Sequence, residues 1–194
     1  NRYSPSMGTT TGLAFAWNKT NFIVRVGSSL YYSEDGGNIW TASIMPVTGA
    51  KEGKVAVSAN GTKIIYCPSA STSVYTSYNK GAGWTNVLHG ITAGKPVADG
   101  VNDNMFYFYD SGSGNLYKMG TGMPPSMTVA ASIGKGASSF IAVNPYAEGD
   151  LWIPMNGGGL MNYNVLTATK NTISNITCSA VALGKAALGS NYPT

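Results

Sequence analysis

Ser33-Glu34-Asp35-Gly36-Gly37-Asn38-Ile39-Trp40 returns 44 residues further on as Ser77-Tyr78-Asn79-Lys80-Gly81-Ala82-Gly83-Trp84. Both stretches read S-x-[D/N]-x-G-x-x-W. A serine and an acid or amide at the head of a turn satisfy backbone N–H groups, glycine supplies a positive φ, and the tryptophan packs back between strands. The residues expected to form this staple are Ser33, Asp35, Gly37 and Trp40 in the first copy and Ser77, Asn79, Gly81 and Trp84 in the second. Asp35 is also an acid in a glycine loop, so a catalytic or metal-binding role competes. Its place inside a recurring turn favours the structural role.

Outward from these copies the text is strand-like, and no segment of helical length carries an apolar stripe at i, i+3, i+4. Leu13 to Ala16, Phe22 to Val26, Leu30 to Ser33 and Ile39 to Ser43 read as a four-stranded meander. Val55 to Ser58, Lys63 to Pro68, Val74 to Ser77 and Trp84 to Leu88 repeat it, with Ala59-Asn60-Gly61 as a tight turn. A third unit holds Pro96 to Ala98, Met105 to Tyr109 and Asn115 to Lys118. A fourth holds Ser139 to Val143, Asp150 to Pro154 and Leu160 to Tyr163. The octapeptide decays there to Met119-Gly120-Thr121 and Asn162-Tyr163-Asn164, yet steps of 42 and 43 residues keep the period.

A period in the 40s built from four-stranded meanders is the pattern of β-propeller blades. The expected fold is all-β, with about four blades at 10–45, 53–90, 95–132 and 137–175. Residues 176–194 would open a further blade from Thr177 to Leu183. Such an arc is incomplete unless another chain or segment completes it, and its uncovered strand edges and apolar faces favour self-association or a further propeller segment as partner.

Composition narrows the function classes. The chain has 194 residues and 43% hydrophobic content, enough for one well-formed core. Only 10% of residues are charged, and 25 Gly and 12 Tyr stand among many Ser, Thr and Asn. That neutral polar surface is common in extracellular β proteins that face carbohydrate. The net charge of +4 comes from scattered residues with no basic run interleaved with aromatics, which argues against nucleic acid. No stretch approaches the roughly 18 apolar residues of a membrane span. Neither a metal nor a cofactor is expected.

Asn18-Lys19-Thr20, Asn60-Gly61-Thr62 and Asn175-Ile176-Thr177 are sequons, making Asn18, Asn60 and Asn175 candidate glycosylation sites of a secreted protein. Cys67 and Cys178 read either as free thiols in strands or as a single long-range disulfide. The sole histidine, His89, lies in a Leu-His-Gly turn with no nucleophile motif beside it. With only Arg2 and Arg25, the chain cannot supply three arginines to hold a sialic carboxylate.

Sugar binding needs flat aromatic faces for pyranose C–H groups and polar groups for hydroxyls. Trp152, Tyr107, Tyr109, Tyr146, Asp110 and Asn156 gather around the loops of the third and fourth units and are the candidates for such a platform. The competing reading has the aromatics of Phe106-Tyr107-Phe108-Tyr109 packing between blades. Asp99, Asp103, Asp110 and Asp150 fall at strand ends or turns, where solvated structural carboxylates are commoner than an acid/base pair.

Longer stretches carry a resemblance. Phe22-Ile23-Val24-Arg25-Val26-Gly27, Tyr32 to Trp40, and Val55-Ala56-Val57-Ser58-Ala59-Asn60-Gly61 resemble, in order, the second propeller of glycoside hydrolase family 74, the xyloglucanases. So do Val101-Asn102-Asp103-Asn104-Met105-Phe106-Tyr107, Glu148-Gly149-Asp150-Leu151-Trp152 and Leu183-Gly184-Lys185-Ala186-Ala187 with Tyr192-Pro193. The resemblance implies two seven-bladed propellers with a cleft that binds a branched β-1,4-glucan, and inversion by two aspartates. Neither aspartate has a match here: the acid's segment would precede this chain, and the base belongs to the first propeller. Gly100 stands after Asp99 where the family usually places arginine. The implied function is a glycan-binding or cleft-forming extracellular propeller segment without its own acid/base pair. The alternative is a non-catalytic adhesive or structural module that self-assembles.

Overall fold

The computed structural model describes residues 8–47, 52–69, 71–88, 90–91, 94–138 and 140–184. His89, Arg2, Ser139 and the Lys185 to Pro193 part of the family resemblance lie outside them. The described residues hold sixteen strands and no helix. β1 (Gly12–Phe15), β2 (Ile23–Val26), β3 (Leu30–Ser33) and β4 (Thr41–Ala42) form the first sheet. β5 (Gly53–Val57), β6 (Ile64–Pro68), β7 (Ser73–Ser77) and β8 (Thr85–Leu88) form the second. β9 (Val97–Ala98), β10 (Met105–Asp110), β11 (Asn115–Gly120) and β12 (Ser126–Ser132) form the third. β13 (Ala142–Val143), β14 (Asp150–Pro154), β15 (Leu160–Asn164) and β16 (Thr169–Ile173) form the fourth.

Each sheet is an antiparallel meander in sequence order. The first strands β1, β5, β9 and β13 touch one another in turn and so lie innermost. The four sheets are propeller blades. Because strand direction alternates, the hairpins β1–β2 and β3–β4, and their equivalents, open on one rim. The middle hairpins and the links between blades open on the other.

Three apolar clusters fill the blade junctions, and strand alternation decides which residue enters which. Val24, Val26 and Leu30 of the first blade meet Val55, Val57, Ile64 and Tyr66 of the second. Ile65, Cys67 and Val74 point the opposite way, onto Phe106, Phe108 and Met119. Tyr107, Tyr109 and Leu116 leave the other face of the third blade to meet Leu151, Ile153, Met161 and Tyr163. The run Phe106-Tyr107-Phe108-Tyr109 therefore serves two junctions at once.

Two strands had no signal in the sequence. β16 is exposed throughout, and β12 is mostly exposed, with a register shift against Leu116 and Tyr117. These are the outermost strands of their blades, so neither face needs apolar periodicity. Expected strands also shrink: Ile39 to Ser43 contributes only Thr41–Ala42, and Thr177 to Leu183 forms no strand but a single bridge, Asn156 to Cys178.

Candidate glycan-facing site

Between β3 and β4 the first octapeptide closes on itself. The buried Ser33 Oγ accepts from Gly37 N at 2.8 Å and donates to Asp35 Oδ1 at 2.7 Å, and Asp35 Oδ1 also accepts from Asn38 N and Ile39 N, both at 3.0 Å. The Ile39 N–H, the Ser33 hydroxyl and the Asn38 N–H hold the Asp35 carboxyl below its ordinary pKa. Trp40 Nε1 donates to Gly37 O at 2.9 Å. The second copy repeats the pattern: Ser77 Oγ accepts from Gly81 N at 2.8 Å, and Asn79 Oδ1 from Gly83 N at 2.8 Å. Gly81 sits at φ 81°, and a Cβ there would stand 2.5 Å from Ser43 Cβ, so no larger residue fits. Trp84 reaches across the junction, its Nε1 donating to Ile44 O at 2.7 Å. Even the decayed fourth copy keeps this chemistry, since Asn164 Oδ1 accepts from Leu166 N and Thr167 N.

The six residues expected to form a sugar platform do not come together. Tyr107 and Tyr109 are 1% exposed and belong to the core between the third and fourth blades. Alternation turns both inward, which corrects their assignment as a platform. Burial and the Asp99 carboxylate beside it push the Tyr107 hydroxyl far up. Trp152 lies mid-strand in β14, on the face turned away from the third blade, as its register with Ala142 and Asn162 shows. Asp110 and Asn156 occupy the middle hairpins of their blades and so share one rim. There Asp110 accepts from Gly112 N and Ser113 Oγ, and Asn156 Nδ2 donates to Gly136 O at 2.6 Å. Tyr146, 48% exposed, is in the β13–β14 hairpin on the opposite rim.

On that rim, polar staples join each blade to the next. Asn18 Nδ2 donates to Asn60 Oδ1 at 3.0 Å. Asp103 accepts from Asn60 N at 2.7 Å, from Thr62 Oγ1, and from Lys63 Nζ at 2.9 Å. Burial alone would raise the Asp103 pKa, but the Thr62 hydroxyl, Asn60 N–H and Lys63 ammonium outweigh it and hold it low. Asn102 Nδ2 donates to Glu148 Oε1 at 2.6 Å. Asp99, 1% exposed, accepts from Val101 N, Asn102 N, Tyr107 Oη and, across the junction, Gly149 N, all at 2.7–2.8 Å. Asp150 holds Asn144 and Asn162. Glu34 pairs with Lys80 and Lys19, which lower its pKa.

Along the concave side runs an open trough of about 290 Å³, lined mostly by apolar residues of the innermost strands, among them Leu13, Phe15, Val57, Val97 and Val143. Trp17 and Pro145 stand at its end on the stapled rim. There Trp17, from the β1–β2 hairpin, meets Tyr146 edge to face, with ring centroids 6.4 Å apart and planes at 88°. At the other end Lys95 Nζ lies 4.9 Å from the Phe140 ring centroid. Burial, with Lys54 as a like charge, lowers the Lys95 pKa. Trp17 was invisible as a site residue in the sequence; its only signal was position, in the hairpin that in the fourth blade carries Tyr146.

No family model matches the chain. It is 32% identical to a xyloglucanase of Paenibacillus sp over 97% of its length, covering 20% of that protein. A xyloglucanase of Hypocrea jecorina (strain QM6a) is 28% identical over 97% of the chain, which covers 23% of it. The crystal structure of the glycoside hydrolase family 74 enzyme of Niastella koreensis superposes with a TM-score of 0.87 at 36% identity, covering 98% of this chain and 28% of that one. The chain is a stretch of glycoside hydrolase family 74-like β-propeller. It spans about a fifth of the length of the curated relatives it matches.

Within this family 74-like propeller, Gly100 allows the third and fourth blades to close. A Cβ at Gly100 would lie 2.4 Å from Pro145 Cα, so the fourth blade's hairpin seats where a side chain would stand. Asn18 and Asn60 bond to each other on the stapled rim, and Asn175 is exposed beyond β16. Cys67 and Cys178 are both free: the first is buried between the second and third blades, while the second bridges to Asn156 beyond the fourth. The disulfide reading is corrected, because the two residues are built into different parts of the arc. Among the described residues no cluster of His, Cys, Asp and Glu could hold a metal ion, and no helix is long and apolar enough to cross a membrane.

Proposed function

We propose that the chain is a glycan-facing wall of an extracellular xyloglucan-acting hydrolase, with the acid and base on other segments. The observation that carries this reading is the commitment of the carboxylates. Apart from the exposed Glu52, each accepts hydrogen bonds from internal donors that staple turns or blades. An inverting pair needs two carboxyl groups facing an open space roughly 6.5–9.5 Å wide. Similarity to two xyloglucanases along 97% of the chain supports a β-glucan as the polysaccharide. On the same reading a further propeller segment covers the outer faces of the first and fourth blades, where Ile23 is half-buried and Ile173 exposed, and the sequons at Asn18, Asn60 and Asn175 fit a secreted glycoprotein.

The test is to incubate the full chain with xyloglucan, following reducing ends and binding separately. Binding to xyloglucan oligosaccharides with no release of reducing ends is expected. Release of sugar by the chain alone would overturn the division of labour, and failure to bind would overturn the glycan-facing role.

A further inference from the structure

The aromatic pair on the stapled rim has the makings of a binding site. Tyr146 is 48% exposed and Trp17 half-buried, and their perpendicular planes make a corner instead of a packed stack. Both rings stand on loops already fixed by their own backbone bonds. Asn18 N donates to Ala59 O at 2.8 Å, Tyr146 N donates to Asn144 Oδ1 at 3.0 Å, and Asn144 is held in turn by Asp150. Pro145 is seated against Gly100. The corner is therefore rigid before any ligand arrives.

Its polar handles are open. Trp40, Trp84, Tyr66 and Tyr78 each spend their N–H or O–H on a backbone carbonyl. Trp17 Nε1 and Tyr146 Oη make no hydrogen bond among the described residues. The adjacent carboxylates, Asp99 and Glu148, are already engaged by Tyr107, Gly149 and Asn102. What remains is one aromatic face, one aromatic edge, an indole N–H and a phenol O–H at the mouth of an apolar trough, with no unengaged charge. A pyranose has an apolar C–H face to stack and equatorial hydroxyls to bond. Lys19 and Lys63 of the neighbouring hairpins are paired with Glu34 and Asp103, so an anionic sugar would meet no unpaired cation at this corner among the described residues.

We propose that the Trp17–Tyr146 corner binds a neutral sugar residue of a glycan, an assignment that rests on the glycan-facing reading above and names the place where it acts. The test is calorimetric titration of the full chain and its variants with xyloglucan oligosaccharides, with oligogalacturonate as the charged probe. Trp17→Ala or Tyr146→Ala should weaken binding about ten-fold, and Tyr146→Phe, which loses only the hydroxyl, about three-fold. Oligogalacturonate should bind at least about ten-fold more weakly than the neutral probe. Trp17→Phe retains a ring and guards against misfolding: it should remove the ligand-induced change in tryptophan emission while leaving the melting curve in place. Unchanged affinity in these variants, or an emission change that persists in Trp17→Phe, would overturn the corner and leave the glycan-facing reading standing. No binding by the unaltered chain would overturn both.

Discussion

Asp99 carries more of the structure than the other acids the sequence placed at strand ends and turns. Its oxygens collect two donors from its own turn, the Tyr107 hydroxyl and the Gly149 N–H of the next blade, all in a buried place. Asp99→Ala leaves the last two without a partner, and each such group costs about 1–3 kcal/mol. Urea denaturation should show a loss on the order of 3 kcal/mol. Asp103 adds a pH dependence of definite sign. Its folded-state pKa lies below the unfolded value of 3.8, so its contribution is complete above that value. It disappears as the pH falls from there through the lower folded pKa, where the unfolded chain binds the extra proton. Melting curves between neutral pH and about pH 3 should flatten in Asp103→Asn, and an unchanged slope would show that the staple is not the titrating group.

Among elements, β10 shows how one strand ties three blades. Phe106 and Phe108 pack toward the second blade, Tyr107 and Tyr109 toward the fourth, and all four are at most 1% exposed. Phe106→Ala should cost roughly 3–5 kcal/mol, because the flanking blades cannot collapse into the space together. Guanidinium denaturation checks this, and a loss under about 1 kcal/mol would mean that the junction repacks freely. Outer strands behave in the opposite way. In β16 every side chain is exposed, so hydrogen bonding to β15 holds it without help from a core.

At the scale of the whole molecule the arc is a row of blades, each fastened mainly to its neighbours, so that stability is shared between intrinsic and junction contributions. The Trp17–Tyr146 contact is an exception, since it joins the first blade to the fourth across the trough. The two cysteines report on the row as a whole. Burial, only partly offset by Lys54, pushes the Cys67 thiol up, whereas the half-buried Cys178 Sγ donates to Ala180 O at 3.3 Å. Iodoacetamide should therefore alkylate Cys178 in the native chain and reach Cys67 only when the junction between the second and third blades opens. Mass spectrometry of the native and urea-treated chain gives the order, and equal labelling rates would show that this junction is loose.

The sequence by itself determined the period, the meander and the turn chemistry. Ser33, Asp35 and Gly37 act on backbone groups within a few residues, so their meaning is local and survives in Asn164 even where the octapeptide has decayed. Ordered matches along the chain likewise carried the resemblance to glycoside hydrolase family 74. Only the tertiary structure decided what became a site. Alternation buried Tyr107 and Tyr109, and strand direction sent Asp110 and Asn156 to one rim and Tyr146 to the other. The curvature of four stacked blades brought Trp17 to Tyr146 across some 130 positions. Faces and rims are set by how whole sheets stack, and no window of neighbouring residues holds that information.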